Sequence, residues 1–345
     1  MDLNPHDPED LAVYATDALE TSELKAFEAH LDDGEHRANG TELTALREVL
    51  GGLAALAAEP APDELREQTL SAARSRRGIG TAIPEVADLP ANEAYRRTID
   101  ALDGLLASLS PLDWDAPTIE GWTVKGLVTH LVAVEEYFGR QLGLWPLDID
   151  EALEADHLEM TRAFVASWSG RTAAEVLARW RELTSTITTH LGSLDRDAGR
   201  RPFHFHFLDT SLSTVLITRV FEVWTHDEDI RRATGRPLAA PEPARLRRMS
   251  RIAVPSMPFG LAMGGVDAAG RTARIVLTGP GGGTWDTALG LGETPGELEA
   301  TVVVDVVDYC RLAARRLAPD EVHFTAEGDE SLARQILSGA GVFSA

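Results

Sequence analysis

Four long amphipathic patterns between residues 93 and 232 constrain this chain more than any other feature. Residues 93–109 set Ile99, Leu102, Leu105, Leu106 and Leu109 on one stripe at helical spacing. Thr123 is placed to cap a helix from Val124 to about Leu142, with Leu127, Leu131, Val134 and Phe138 along one face. Residues 172–191 align Val176, Leu177, Trp180, Leu183, Ile187 and Leu191, and residues 211–232 align Leu212, Val215, Leu216, Val220, Trp224 and Ile230. A helix with one apolar stripe must bury it against another element, so four of this length predict a four-helix bundle. The stretch 143–171 is then a long crossover with room for a short helix.

The flanks read differently. Residues 1–77 are helical in pattern, and 78–92 (GIGTAIPEVADLPAN) carry the Gly and Pro of a linker. The bundle region runs over 93–237. A second break, GRPLAAPEP, covers 235–243. Beyond it TARIVLTGP and ELEATVVVDVV are β-branched runs, GPGGG at 279–283 reads as a hairpin turn, and helices are expected at about 305–317 and 330–338. The whole is mainly α with a C-terminal α+β domain over 244–345.

Charge and cysteine content narrow the function classes. The formal net charge of −23 repels phosphate backbones, which argues against direct nucleic-acid binding. No run of 18 apolar residues is present, so no membrane span is expected. The first ten residues, MDLNPHDPED, do not read as a secretory signal. The single cysteine, Cys310, excludes an intramolecular disulfide and any cysteine-rich zinc site, and reads as a small buried hydrophobe. A cytoplasmic location is the resulting expectation.

Glu222 and His226 stand four apart in RVFEVWTHDEDIRR, which puts both on one helix face about one turn apart. His130 lies on the core-facing side of its own helix, between Leu127 and Val134. Two imidazoles and a carboxylate give a three-ligand site with open positions, the pattern of catalytic zinc, and they suit Fe(II) and other divalent metals as well. A Glu/His pair at this spacing is common on helices, and an inward histidine is ordinarily a hydrogen-bonded core residue. Asp227, Glu228 and Asp229 read mainly as exposed charge, with one of them available to orient a ligand imidazole.

Residues 114–138, WDAPTIEGWTVKGLVTHLVAVEEYF, together with 219–237, RVFEVWTHDEDIRRATGRP, resemble the DinB-like, mycothiol-dependent maleylpyruvate isomerase family. The histidine of the first motif falls on His130, and the glutamate and histidine of the second fall on Glu222 and His226. The resemblance implies a four-helix bundle holding a divalent metal, zinc foremost, through those three residues. It implies mycothiol, an actinobacterial thiol, as cosubstrate, activated for S-transfer or isomerisation of an electrophile. The family's Asp after its first Val is Gly126 here, a position that reads as packing. Residues 244–345 resemble the sterol-carrier-protein-like domain that follows the bundle in this family; there Arg311, Arg315 and Arg316 read as a solvated helix face. The FHFHF stretch, 203–207, reads as an exposed hairpin, although His204 and His206 precede the Glu222 helix and lie within reach of the site.

Residues 8–77 resemble a zinc-binding anti-sigma domain. His30 matches that family's histidine and His6 its upstream ligand, but Gly34 and Arg37 stand where its two cysteines belong. The expectation is a helical domain, 1–77, that binds no zinc and is either a module with a surface for a sigma factor or a relic used only for packing. Three function classes follow: a metal-dependent mycothiol S-transferase or isomerase, an anti-sigma-like regulator whose bundle senses a ligand or thiol, and a binding protein with an inert metal.

Overall fold

The computed structural model describes residues 86–146, 157–195, 197–205 and 208–343. The anti-sigma-like reading of 1–77, with His6 and His30, lies outside the described residues.

Helices α1 (Ala91–Ala107), α2 (Val124–Gln141), α4 (Ala173–Ser193) and α5 (Leu212–Ala233) form a ring in which α1 touches α5 and α4, and α2 touches α4 and α5. Each expected stripe is the buried one. Val176, Trp180, Leu183 and Ile187 of α4 meet Leu127, Leu131, Val134 and Phe138 of α2 in one continuous core. The starts of the helices are written in the sequence. The Thr123 hydroxyl accepts from the Gly126 amide, Ser211 accepts from Thr214, and Thr172 with Glu175 forms a reciprocal capping box. Each satisfies amide hydrogens that a helix start leaves without an intrahelical acceptor. The crossover holds α3 (His157–Ser167), which packs on α2.

The hairpin between α4 and α5 pairs β1 (Pro202–Phe205) with β2 (Leu208–Ser211). Strand alternation sorts its side chains. Phe203 and Phe205 stand edge-on to Phe138 at 5.9 and 5.7 Å, whereas His204 is half exposed and bonded to Asp209 at 2.8 Å. His204 is therefore turned outward, away from α2; His206 lies outside the described residues.

One long helix has no counterpart in the sequence reading. Helix α6 (Pro243–Met263) starts immediately after the GRPLAAPEP break and carries Pro255 and Pro258 inside it. Each proline removes an amide donor from the helical ladder and ordinarily marks a break, which is why the pattern reads as irregular. Its buried face, Leu246, Met249, Ala253, Val254, Met257 and Leu261, offsets that cost by packing against both α5 and the elements that follow.

Those elements form a mixed four-stranded sheet, ordered β4 (Gly283–Ala288), β3 (Thr272–Thr278), β5 (Ala300–Asp305), β6 (Phe324–Gly328). β3 and β5 are parallel; the outer pairs are antiparallel. The register sets Ala273, Ile275 and Leu277 opposite Ala300, Val302 and Val304, so one face of the sheet is uniformly apolar. Helices α6, α7 (Val306–Ala313) and α8 (Glu330–Gly339) pack against the sheet. α7 is shorter than the expected 305–317. It closes with Arg315 N–H donating to the Leu312 carbonyl and Arg316 N–H to that of Arg311, with Arg315 at φ 53°. Cys310 is fully buried on α7, and burial pushes its thiol pKa up, so it is an inert core residue.

Candidate metal centre

α2 and α5 bring the expected residues together. His130, Glu222 and His226 each offer a ligand atom, and these atoms all lie within 4.8 Å of one another inside the protein. His130 Nε2 is 3.1 Å from Glu222 Oε1, and the His226 ring stands edge-on to the His130 ring at 5.2 Å. The Trp122 ring also lies 5.2 Å from that of His130. Gly126 leaves room for that indole: a Cβ there would come within 3.0 Å of Trp122 Cβ. The departure from the family motif at Gly126 thus has a packing cause.

A chain of buried polar groups fixes the glutamate. Arg219, one turn before Glu222, is fully buried and donates to Glu222 Oε2 and, at 2.6 Å, to Glu135 Oε1 on α2. The Tyr95 hydroxyl of α1 donates to the other Glu135 oxygen at 2.6 Å. Burial alone would depress the Arg219 pKa, but the charges of Glu135 and Glu222 hold it above its ordinary value. Burial, and then the Glu135 charge, push the Tyr95 phenol well up, so it stays protonated. Two carboxylates thus share one guanidinium. Glu222 Oε2 is taken by the arginine, which leaves Oε1 facing His130.

His226 is fixed from behind. Its Nδ1 is 3.0 Å from Asp229 Oδ2, so the carboxylate selects the tautomer with the proton on Nδ1. Its Nε2 is buried and has no hydrogen-bond partner among the described residues. Asp229 in turn receives a two-pronged grip from Arg316, Nε to Oδ1 at 3.0 Å and Nη2 to Oδ2 at 2.8 Å. Burial works against the ionised form of Asp229, yet His226 and Arg316 keep its carboxyl below the usual range.

These contacts correct two sequence readings. Asp227, Glu228 and Asp229 are buried, not exposed charge. Arg311 and Arg316 are not a solvated face: Arg311 grips Glu228 at 2.8 Å as Arg316 grips Asp229, while Arg315 alone is exposed. Sequence reasoning also passed over Glu135, Arg219 and Tyr95. A signal existed, because Glu135 falls four after Leu131 and Arg219 four after Val215, charges standing on apolar stripes.

Ring and donor cluster together define a helical-bundle protein with a candidate metal centre in its interior. Residues 95–231 match the family model described as the mycothiol maleylpyruvate isomerase N-terminal domain, and the match spans α1 to α5 with all three donor residues. The resemblance read from the two motifs holds over that segment; it does not extend to residues 1–77, on which the sigma-factor reading rested. Two crystal structures of the mycothiol-dependent maleylpyruvate isomerase, one of them a histidine-to-alanine mutant, are similar to this chain at 16% identity, covering 68% of this chain and 91% of theirs, with TM-scores of 0.47 and 0.45. A comparison with curated proteins gives no match. Among the described residues no helix is long and apolar enough to cross a membrane.

Proposed function

We propose that this chain is a divalent-metal-dependent enzyme that activates a low-molecular-weight thiol of the mycothiol type for isomerisation or S-transfer, with His130, Glu222 and His226 as the metal ligands. The observation that carries the reading is His226 Nε2, a buried nitrogen without a hydrogen-bond partner among the described residues, in a cluster whose ligand atoms, with a carboxylate and a second imidazole, lie within 4.8 Å of one another. Such an atom is costly to bury unless a partner arrives. Two histidines and a glutamate fit zinc, and equally Fe(II) and other divalent ions. A divalent cation held there would lower the pKa of a coordinated thiol, so that it reacts as the thiolate.

The residues have distinct tasks in this reading. Arg219 occupies one oxygen of Glu222 and directs the other to the cation. Asp229 keeps the proton of His226 on Nδ1 and so leaves Nε2 as a donor. Trp122 and the bundle core exclude water around His130. The DinB-like bundle, 93–237, carries the chemistry, and the module 244–345, of sterol-carrier-protein type, braces it. The match of 95–231 to a mycothiol isomerase domain supports the choice of thiol.

The test is the metal content of the purified full chain, followed by turnover with mycothiol and maleylpyruvate. One equivalent is expected in the wild type. His226→Ala and Glu222→Ala should each lose most of it, since each removes one of three protein ligands. A wild type that takes up no metal after reconstitution, or a His226→Ala protein that keeps its full complement, overturns the assignment.

A further inference from the structure

Two arginines of the C-terminal module reach back to consecutive acidic residues of α5. Arg311 on α7 grips Glu228 through Nη2 at 2.8 Å and Nε at 3.1 Å; Arg316, just past α7, grips Asp229 through Nη2 at 2.8 Å and Nε at 3.0 Å. Both carboxylates are buried, and Arg232 of α5 braces them from their own helix, at 3.0 Å to Glu228 and 3.6 Å to Asp229. As interface ion pairs the two are twins. They differ in what lies behind the carboxylate. Glu228's carboxylate bonds Arg311 and Arg232. Asp229 bonds His226 Nδ1 at 3.0 Å.

The backbone that delivers Arg316 is itself unusual. Arg315 adopts φ 53°, the left-handed turn that commonly falls to glycine after a helix. A non-glycine residue is sterically disfavoured there. The turn reverses the chain so that Arg316 N–H closes on the Arg311 carbonyl and its side chain returns to α5.

We infer that Arg316 is a positioning residue of the candidate metal centre: acting through Asp229 it fixes the ring orientation and tautomer of His226, so the C-terminal module sets how tightly the bundle holds its cation. This rests on the metal reading above. Arg311 performs the same mechanical bracing on Glu228, which is linked to the His226 partner Asp229 only indirectly, through Arg232, and this makes Arg311 the internal control. Groups behind a ligating histidine typically change metal affinity by about 10- to 100-fold when removed.

The experiment is a Co2+ titration of the full chain, followed by visible absorption, for the wild type, Arg316→Met and Arg311→Met, with thermal unfolding measured alongside. Both variants leave a buried carboxylate with one arginine fewer and should unfold at lower temperature. Only Arg316→Met should loosen Co2+, by about 10- to 100-fold, and move the ligand-field bands. Arg311→Met should keep the wild-type affinity and spectrum. Should either methionine variant fail to fold, Arg316→Lys and Arg311→Lys keep the charge without the two-pronged geometry and should rank in the same order. Equal effects at 316 and 311, or none at 316, overturn the inference while leaving the metal centre standing. A wild type that binds no Co2+ overturns the metal reading and this inference with it.

Discussion

The bundle and the C-terminal sheet both bury apolar faces, but the bundle buries charges among them. Between α1 and α5 the interior contains Glu135, Arg219, His130, His226, Glu228 and Asp229; in the sheet and its helices α7 and α8, the buried residues among those described include no charged side chain. The sheet is what apolar alternation builds unaided, with Ile275 opposite Val302 and Leu277 opposite Val304. The bundle gives up stability to keep charges in place, since a buried ion pair is often weaker than a well-packed apolar substitute. That sacrifice has a structural product, two imidazoles and a carboxylate converging on one point.

The sharpest way to break this contrast is Arg219→Met. It removes the cation between Glu135 and Glu222, and the expected loss is about 3–5 kcal/mol, read by denaturant unfolding. A near-neutral result would mean that the arginine is not what keeps the two glutamates in place. Ile275→Val probes the other region. It should cost about 0.5–1.5 kcal/mol as a small cavity and leave metal uptake unchanged, and a drop in metal content would show that the sheet is not energetically separate from the site. The smallest effect concerns pH. Hydrogen bonds from Arg96 and Arg97 hold the Glu93 carboxyl at about 2, down from 4.5. A carboxyl with a lowered folded-state pKa lends stability that is complete above the unfolded value and is lost as pH falls toward the folded one. Relative to Glu93→Gln, wild-type unfolding temperature should therefore decline between about pH 4.5 and 2; parallel curves would mean that this exposed cluster contributes nothing.

The same contrast explains what could be read from the sequence. The four bundle helices and the paired strands were legible because apolar periodicity reports which face is buried. His130, Glu222 and His226 were legible because two sit one turn apart and the third stands on an apolar stripe. Asp229 and Arg316 were not. Burial of a charge by a partner 87 residues away leaves no local pattern, and each looks like surface until the other is in view. Helix α6 was hidden for another reason, because Pro255 and Pro258 interrupt the signal by which a helix is recognised.

Helix α6 has a practical consequence for anyone cutting this chain. The Pro-rich stretch before it invites a truncation at about residue 240, the usual place to separate one domain from the next. The helix that begins three residues later lends its apolar side chains to α5 and to the sheet module alike. A fragment ending at that seam would carry a bare face where Leu246 and Met249 had been, and would lose the counter-ions of Glu228 and Asp229 as well. The bundle and its neighbour are better treated as one unit in expression, fusion and shuffling.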